Sequence, residues 1–208
     1  MKTLLAALAL LTLAACGSDD GTTATDPGGS GDATGSAMPT SIPAADGPVR
    51  TRNLATDMDT GRPELCLGAV AESYPPQCGG PPIAGWDWKD HDGVFDREGD
   101  VRWGLFAVTG TFDGTTFTAT DAIPGALYDP AMTEEPTYPA AAIDLTDAQL
   151  TDIAETLGAE LPGAQGAYGA DGHVLVDVTY DDGSLQAWAD GEYGENVVIV
   201  TSALVEAR

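Results

Sequence analysis

The segment 87–100, reading DWKDHDGVFDREGD, holds the side chains best suited to chemistry. Asp90, His91, Asp92, Asp96 and Asp100 set four carboxylates and one imidazole within eleven residues. Hard divalent cations take oxygen-rich clusters of this kind as ligands. The spacing does not follow a calcium loop. With Gly93 at the invariant glycine of an EF-hand, Trp88 falls at the first ligand position and Gly99 at the last, where that loop requires carboxylates. Asp90, Asp92 and Asp96 stay as weak metal candidates beside the simpler expectation of a solvated acidic loop. The chain has two histidines, His91 and His173, and His173 opens an alternating stretch as a surface or strand-end residue. There is no Gly-x-Ser-x-Gly elbow, His-Glu-x-x-His, phosphate loop or Cys-x-x-Cys pair. Abundant carboxylates alone do not make a glycosidase pair. The sequence therefore points to no catalytic residue, no cofactor and a non-enzymatic protein.

A second group of residues suits recognition. Tyr74-Pro75-Pro76-Gln77-Cys78-Gly79-Gly80-Pro81-Pro82 carries four prolines, which exclude helix and withhold ladder donors, so it reads as a rigid loop. Tyr74, Gln77, Trp86 and Trp88 form the candidate binding surface, because rigid aromatic faces give contact area at low entropic cost. The competing reading places both tryptophans in the core and makes the loop a connector.

Charge narrows the partners. Asp and Glu number 33 against 8 Lys and Arg, a net charge of −25 at pH 7. Such a surface repels nucleic acid and anionic membrane, and suits a basic partner, a loosely held cation, or solubility alone.

Lys2 followed by the apolar run from Leu4 to Leu13 and the small residues Ala14-Ala15 has the composition of a secretory signal, too short for a lasting transmembrane helix. Leu13-Ala14-Ala15-Cys16 resembles the lipobox of bacterial lipoproteins. The resemblance implies cleavage after residue 15, a diacylglyceryl group on Cys16, and a location on the extracytoplasmic face of the cell membrane. The Ala/Gly/Asp/Thr-rich, lysine-poor text is similar in style to that of high-GC actinobacteria. Two acyl chains make an anchor stable where one is reversible. Residues 16–47, rich in Gly, Ser, Thr, Asp and Pro, bury too little to order themselves and read as the anchor and a disordered linker. Thirty such residues reach about 30 Å. With Cys16 accounted for, Cys66 and Cys78 remain, and in an oxidising compartment a disulfide between them is expected.

Residues 48–208 read as one globular β-rich domain. Strands are expected over 64–71, where Gly68 marks a bend or close backbone approach, over 83–88 and over 101–112. Asp113-Gly114 signals a two-residue hairpin that pairs Phe112 with Thr115. Phe106, Val108, Phe112 and Phe117 then share a core face, with Phe117 over Gly110, while Thr109, Thr111, Thr116, Thr118 and Thr120 share a solvated one. Thr146 and Gln149 form a capping-box pair and Leu145 with Leu150 a hydrophobic staple. The helix that follows carries Leu150, Ile153, Ala154, Leu157 and Leu161 on one side and stops near Gly158. Residues 173–180 alternate as a strand, Asp182-Gly183 reads as another hairpin with Tyr180 facing Leu185, and 196–205, apolar on both faces, reads as a covered central strand. The fold class is mainly β: an antiparallel curled sheet or small barrel with one α-helix, or else an open α+β antiparallel sheet. Over residues 64–205 the element order resembles the OB-fold, from which the extra last strand and the Pro-rich insertions depart.

The favoured function is a membrane-anchored envelope module that binds a protein or polymer through residues 72–88. A carboxylate- or metal-dependent envelope hydrolase and a structural surface protein are the alternatives.

Overall fold

The computed structural model describes residues 37–129 and 136–207. The expected signal segment 1–15, the expected lipidation residue Cys16 and the first part of the expected linker lie outside the described residues. No helix among the described residues is long and apolar enough to cross a membrane.

The chain builds a curled, mainly antiparallel sheet and a smaller α/β layer. Strands β1 (Val49–Thr51), β2 (Ala55–Asp59), β3 (Pro63–Cys66), β4 (Ile83–Ala84) and β5 (Asp96–Glu98) lead to the twelve-residue β6 (Val101–Phe112) and then β7 (Phe117–Pro124). β6 has four partners. β1 and β2 run along one edge, and β5 and β7 along the other, so that Trp103 pairs with both Met58 and Asp96. The 52–54 turn offsets β1 from β2. At that break the buried Val108 N–H donates to Thr51 Oγ1 at 3.1 Å, a side chain standing in for the missing ladder acceptor.

Alternation places Val49, Leu65, Phe106, Val108, Phe112 and Phe117 on the concave face, where all are buried. The sheet curls round this core without closing into a barrel, so the barrel alternative gives way to the curled sheet. The hairpin differs from its expected form. Phe112 pairs with Phe117, not Thr115, because Asp113 Oδ1 accepts from Thr115 N, Thr115 Oγ1 and Thr116 N and thereby extends the turn to four residues. A shift of two preserves the faces. Phe117 still lies over Gly110, whose added Cβ would stand 2.9 Å from the ring.

After α1 (Asp147–Glu160) come β8 (Ala164–Ala170), β9 (His173–Val178), α2 (Ser184–Tyr193), β10 (Val198–Ser202) and β11 (Leu204–Glu206). The capping box is present: Gln149 N donates to Thr146 Oγ1 at 3.4 Å, and Thr146 N to Gln149 Oε1 at 3.0 Å. A three-stranded sheet in the order β10-β9-β8, with β10 parallel to β9, carries both helices against Val174, Val176 and Val178.

The expectation of a single helix is corrected. The residues after Asp182-Gly183, read as the return strand of a hairpin followed by a turn at 191–195, form α2 through Tyr193. Asp181 Oδ1 accepts from Gly183 N and Leu185 N at 2.9 Å, Asp181 Oδ2 accepts from Gln186 N at 3.3 Å, and Asp182 Oδ1 accepts from Ser184 N at 3.0 Å. Four donors at the start of the helix are thus satisfied by two carboxylates. Leu185, Trp188 and Ala189 fall on one buried face at helical spacing. The expected central strand at 196–205 is also corrected: β10 is an edge strand of one sheet and β11 pairs with β1 in the other.

Close approaches tie the parts together. The linker expectation extends to residue 47, but Met38 packs on the helical core and Ile42 and Ala45 on the concave core. Gly68 meets Gln165, whose carbonyl oxygen would lie 3.0 Å from an added Cβ, the close approach expected there. Ala203 N donates to Val178 O at 2.8 Å, and Arg52 N to Ala203 O at 2.8 Å.

Replacing Asp181 by Ala removes three acceptor contacts from the start of α2 and is expected to cost about 1–2 kcal/mol. Urea unfolding checks this; an unchanged midpoint would show that the cap contributes nothing.

Candidate interaction surface

The four residues expected to form one surface lie on two sides of the curled sheet. Trp88 is buried in the concave core, where its Nε1 donates to Asp59 Oδ2 at 3.1 Å. Trp86 is half-buried, stacked on His91 at 4.1 Å between ring centroids and edge-on to Phe106 at 5.1 Å. Both tryptophans close one end of the core. Tyr74 is 72% exposed and leans edge-on against Trp103 on the convex side, with centroids 5.2 Å apart. Gln77 is exposed, and its backbone carbonyl accepts from Ala71 N at 2.8 Å. Tyr74 and Gln77 share a loop, but the tryptophans do not join them.

That loop is held by the Cys66–Cys78 disulfide, with Cα atoms 5.8 Å apart. Beneath it Met58, Cys66 and Trp103 form a small apolar cluster on the convex side, joined by Cys78 and Val101.

The acidic loop packs rather than converges. Asp90 and His91 lie on the short 3-10 turn Trp88–His91, which Asp87 caps by accepting from Lys89 N at 3.0 Å. The His91 ring lies against Trp86 and Phe106. Burial lowers its pKa, opposed by the carboxylates of Asp90 and Asp87. Asp92 follows the turn, and Asp96 opens β5 opposite Trp103. Among the described residues no three His, Cys, Asp or Glu side chains are grouped so as to hold a metal ion. His173 opens β9 as expected, but it is buried, not at the surface, with Nδ1 2.7 Å from Asn196 O. Burial reflects the Tyr138 ring packed beside it.

Two features were not read from the sequence. The first is Asp57 in β2. It is fully buried, paired across the strands with Gly104 and Leu65, and neither carboxylate oxygen has a hydrogen-bond partner. Desolvation pushes its carboxyl up to about 8, so the neutral acid is the form present at pH 7. Having no exposed surface, it is out of reach of a substrate. Its neighbour Asp59 is held by Trp88 and lies 3.7 Å from Arg102. These two carboxylates do not face a common open pocket.

The second feature is a slot of about 510 Å³ between β5 and the end of β7, within the roughly 300–1,000 Å³ of small-ligand pockets. β5 pairs with β6 only as far as Trp103, and β7 takes over only from Phe106. Gly104 and Leu105 lie in the gap. Leu54, Val94, Phe95, Leu105, Pro124 and Ala126 wall the slot, with Asp96 among the lining residues. Leu105 is 54% exposed and Leu127, next to the wall, 75%; Leu54, Val94 and Ile123 are exposed as well. Ala107 pairs with Ile123, which puts Ile123 on the same convex face as Leu105. The convex face thus runs from the covered Trp103 cluster, through this open apolar patch, to Thr109, Thr111, Thr118 and Thr120. Leu54 and Leu105 both approach Gly125, so their exposed side chains lie side by side at the slot. One signal pointed to it: strand alternation assigns Leu105 to the face that the threonines occupy.

Neutral Asp57 makes stability depend on pH. A folded-state pKa near 8 against about 4 unfolded means that the folded form holds the extra proton between these values. Stability therefore falls as pH rises from 4 to 8, by up to about 1.4 kcal/mol per unit, and levels off above. Urea titrations of the native chain and of Asp57→Asn at pH 5 and pH 8 are expected to show the native chain losing several kcal/mol more than the variant. Equal losses would mean that Asp57 is charged in the folded state.

Comparisons with protein-family models, with curated proteins and with solved structures find no match to this chain.

Proposed function

We propose that the chain is a lipid-anchored, extracytoplasmic interaction module of the cell envelope, with no catalytic role, whose contact surface is the slot beside Leu105. The observation that carries the reading is the open apolar patch of Leu54, Val94, Leu105, Ile123 and Leu127 on a chain of net charge −25. Burying such a patch is favourable at roughly 25 cal/mol per Å², and a partner is the means of burying it. The lipobox-like Leu13-Ala14-Ala15-Cys16 supports the anchor. The Cys66–Cys78 disulfide supports an oxidising compartment. Tyr74, 72% exposed on the same convex side, extends the surface, whereas Trp86 and Trp88 support it from within.

Two measurements test the proposal in cells. The native chain is expected to fractionate with membranes and to carry a diacylglyceryl mass on Cys16, and Cys16→Ala to lose both. Recovery of the unprocessed chain in the cytoplasm with Cys66 and Cys78 as free thiols would overturn the anchor and the compartment. A photo-crosslinking residue at position 105 is expected to give discrete adducts that the same residue at position 118, at the far, threonine-covered end of the same convex face, does not. Identical patterns at both positions would overturn the contact surface.

A further inference from the structure

We infer that the slot takes an apolar side chain from a cationic peptide segment of a partner protein. The inference rests on the proposed contact surface and names its occupant.

The slot lies between apolar walls that its own chain leaves uncovered. Leu127 and Ile123 extend the apolar area beyond the cavity, onto the wall at Pro124–Ala126 and the convex face. A small molecule filling the slot leaves these residues in water. A peptide seated by one large apolar side chain covers them with its flanking backbone. Only Gly104 and Leu105 lie in the gap between β5 and β7, which is too short a stretch for a strand to be added along the edge. Anchoring by a side chain is the mode that fits.

Charge selects the sequence around the anchor. The segment 87–100, which supplies one wall, has six carboxylates against Lys89 and Arg97, and Asp96 lies in the slot lining itself. Asp121 and Asp129, exposed, lie beside Ile123 and Leu127 along the chain. The nearby arginines are already engaged. Arg97 is 3.9 Å from Asp100 and its Nε donates to Gly99 O. Arg102 is 3.7 Å from Asp59, and Arg52, whose Nε donates to Ser202 O, has its charge directed at Asp177. Carboxylates in excess of available cations set a negative potential at the rim, which attracts lysine and arginine beside the anchor and rejects acidic segments.

The test uses the full chain with its disulfide intact and the peptide acetyl-Lys-Lys-Leu-Phe-Lys-Lys-amide, followed by calorimetry and by NMR shift mapping. Saturable one-to-one binding is expected, with shifts at Leu54, Val94, Leu105 and Ala126. Leu105→Ser should weaken it by at least about tenfold, whereas Tyr168→Ser, an exposed change on the other sheet, should leave it unaltered. Replacing the lysines by glutamates should abolish binding, and added salt should weaken it several-fold. Equal binding of the glutamate peptide, or of a peptide with Leu and Phe changed to Ser, would overturn the inference. So would concentration-dependent dimerisation that protects Leu105, which would make the occupant a second copy. If no cationic peptide binds but crosslinks from position 105 persist in cells, the cationic occupant fails and the contact surface stands. If both are absent, the contact surface fails too.

Discussion

A strand of twelve residues presents backbone donors and acceptors along two edges, and all of those that are buried need partners. β6 meets this need with four short strands instead of two long ones. Much of the curled sheet follows from that piecemeal pairing. Where β1 gives way to β2, Thr51 Oγ1 takes the Val108 N–H. Where β5 gives way to β7, Gly104 and Leu105 are left between them and the slot opens. The same division lets the concave face close over Phe106 and Val108 while the convex face stays partly bare.

The two sides of that strand are finished by different means. The concave side is sealed by large apolar side chains and by the Trp86–His91 stack, and the sealing is tight enough to hold Asp57 without a partner. An unpaired acid in such a place lowers stability, and it stays neutral because the neutral form is the cheaper one to bury. The convex side is covered in one part only, by the loop stapled through Cys66 and Cys78 over Met58 and Trp103.

Local signals in the sequence were the ones that could be read. Thr146 and Gln149 announced α1 because a capping box is complete within four residues. The concave residues of β6 showed by alternation, and an error of two in the hairpin register left their face unchanged. At Asp181-Asp182-Gly183 the turn signal was real, but the same carboxylates serve equally to start a helix, and the spacing of Leu185, Trp188 and Ala189 decides the matter. Residues 196–205 looked covered on both faces because they serve two cores in turn: Val197 and Val198 in one, Leu204 in the other. Asp57 and the slot could not be read locally. The burial of Asp57 depends on Leu65 and Gly104 across two strand pairings, and the slot depends on where two strands stop.

The pairing of β1 with β11 has a consequence for the order of assembly. Val49 lies beside Glu206, so one flank of the curled sheet stays unzipped until that distant strand has emerged. Contacts so distant along the chain are slow to form, because the intervening loop must close first. The α/β layer, whose partners are neighbours in sequence, is able to condense earlier. A chain cut short before β11 leaves β1 with a bare hydrogen-bonding rim, the template on which chains stick to one another.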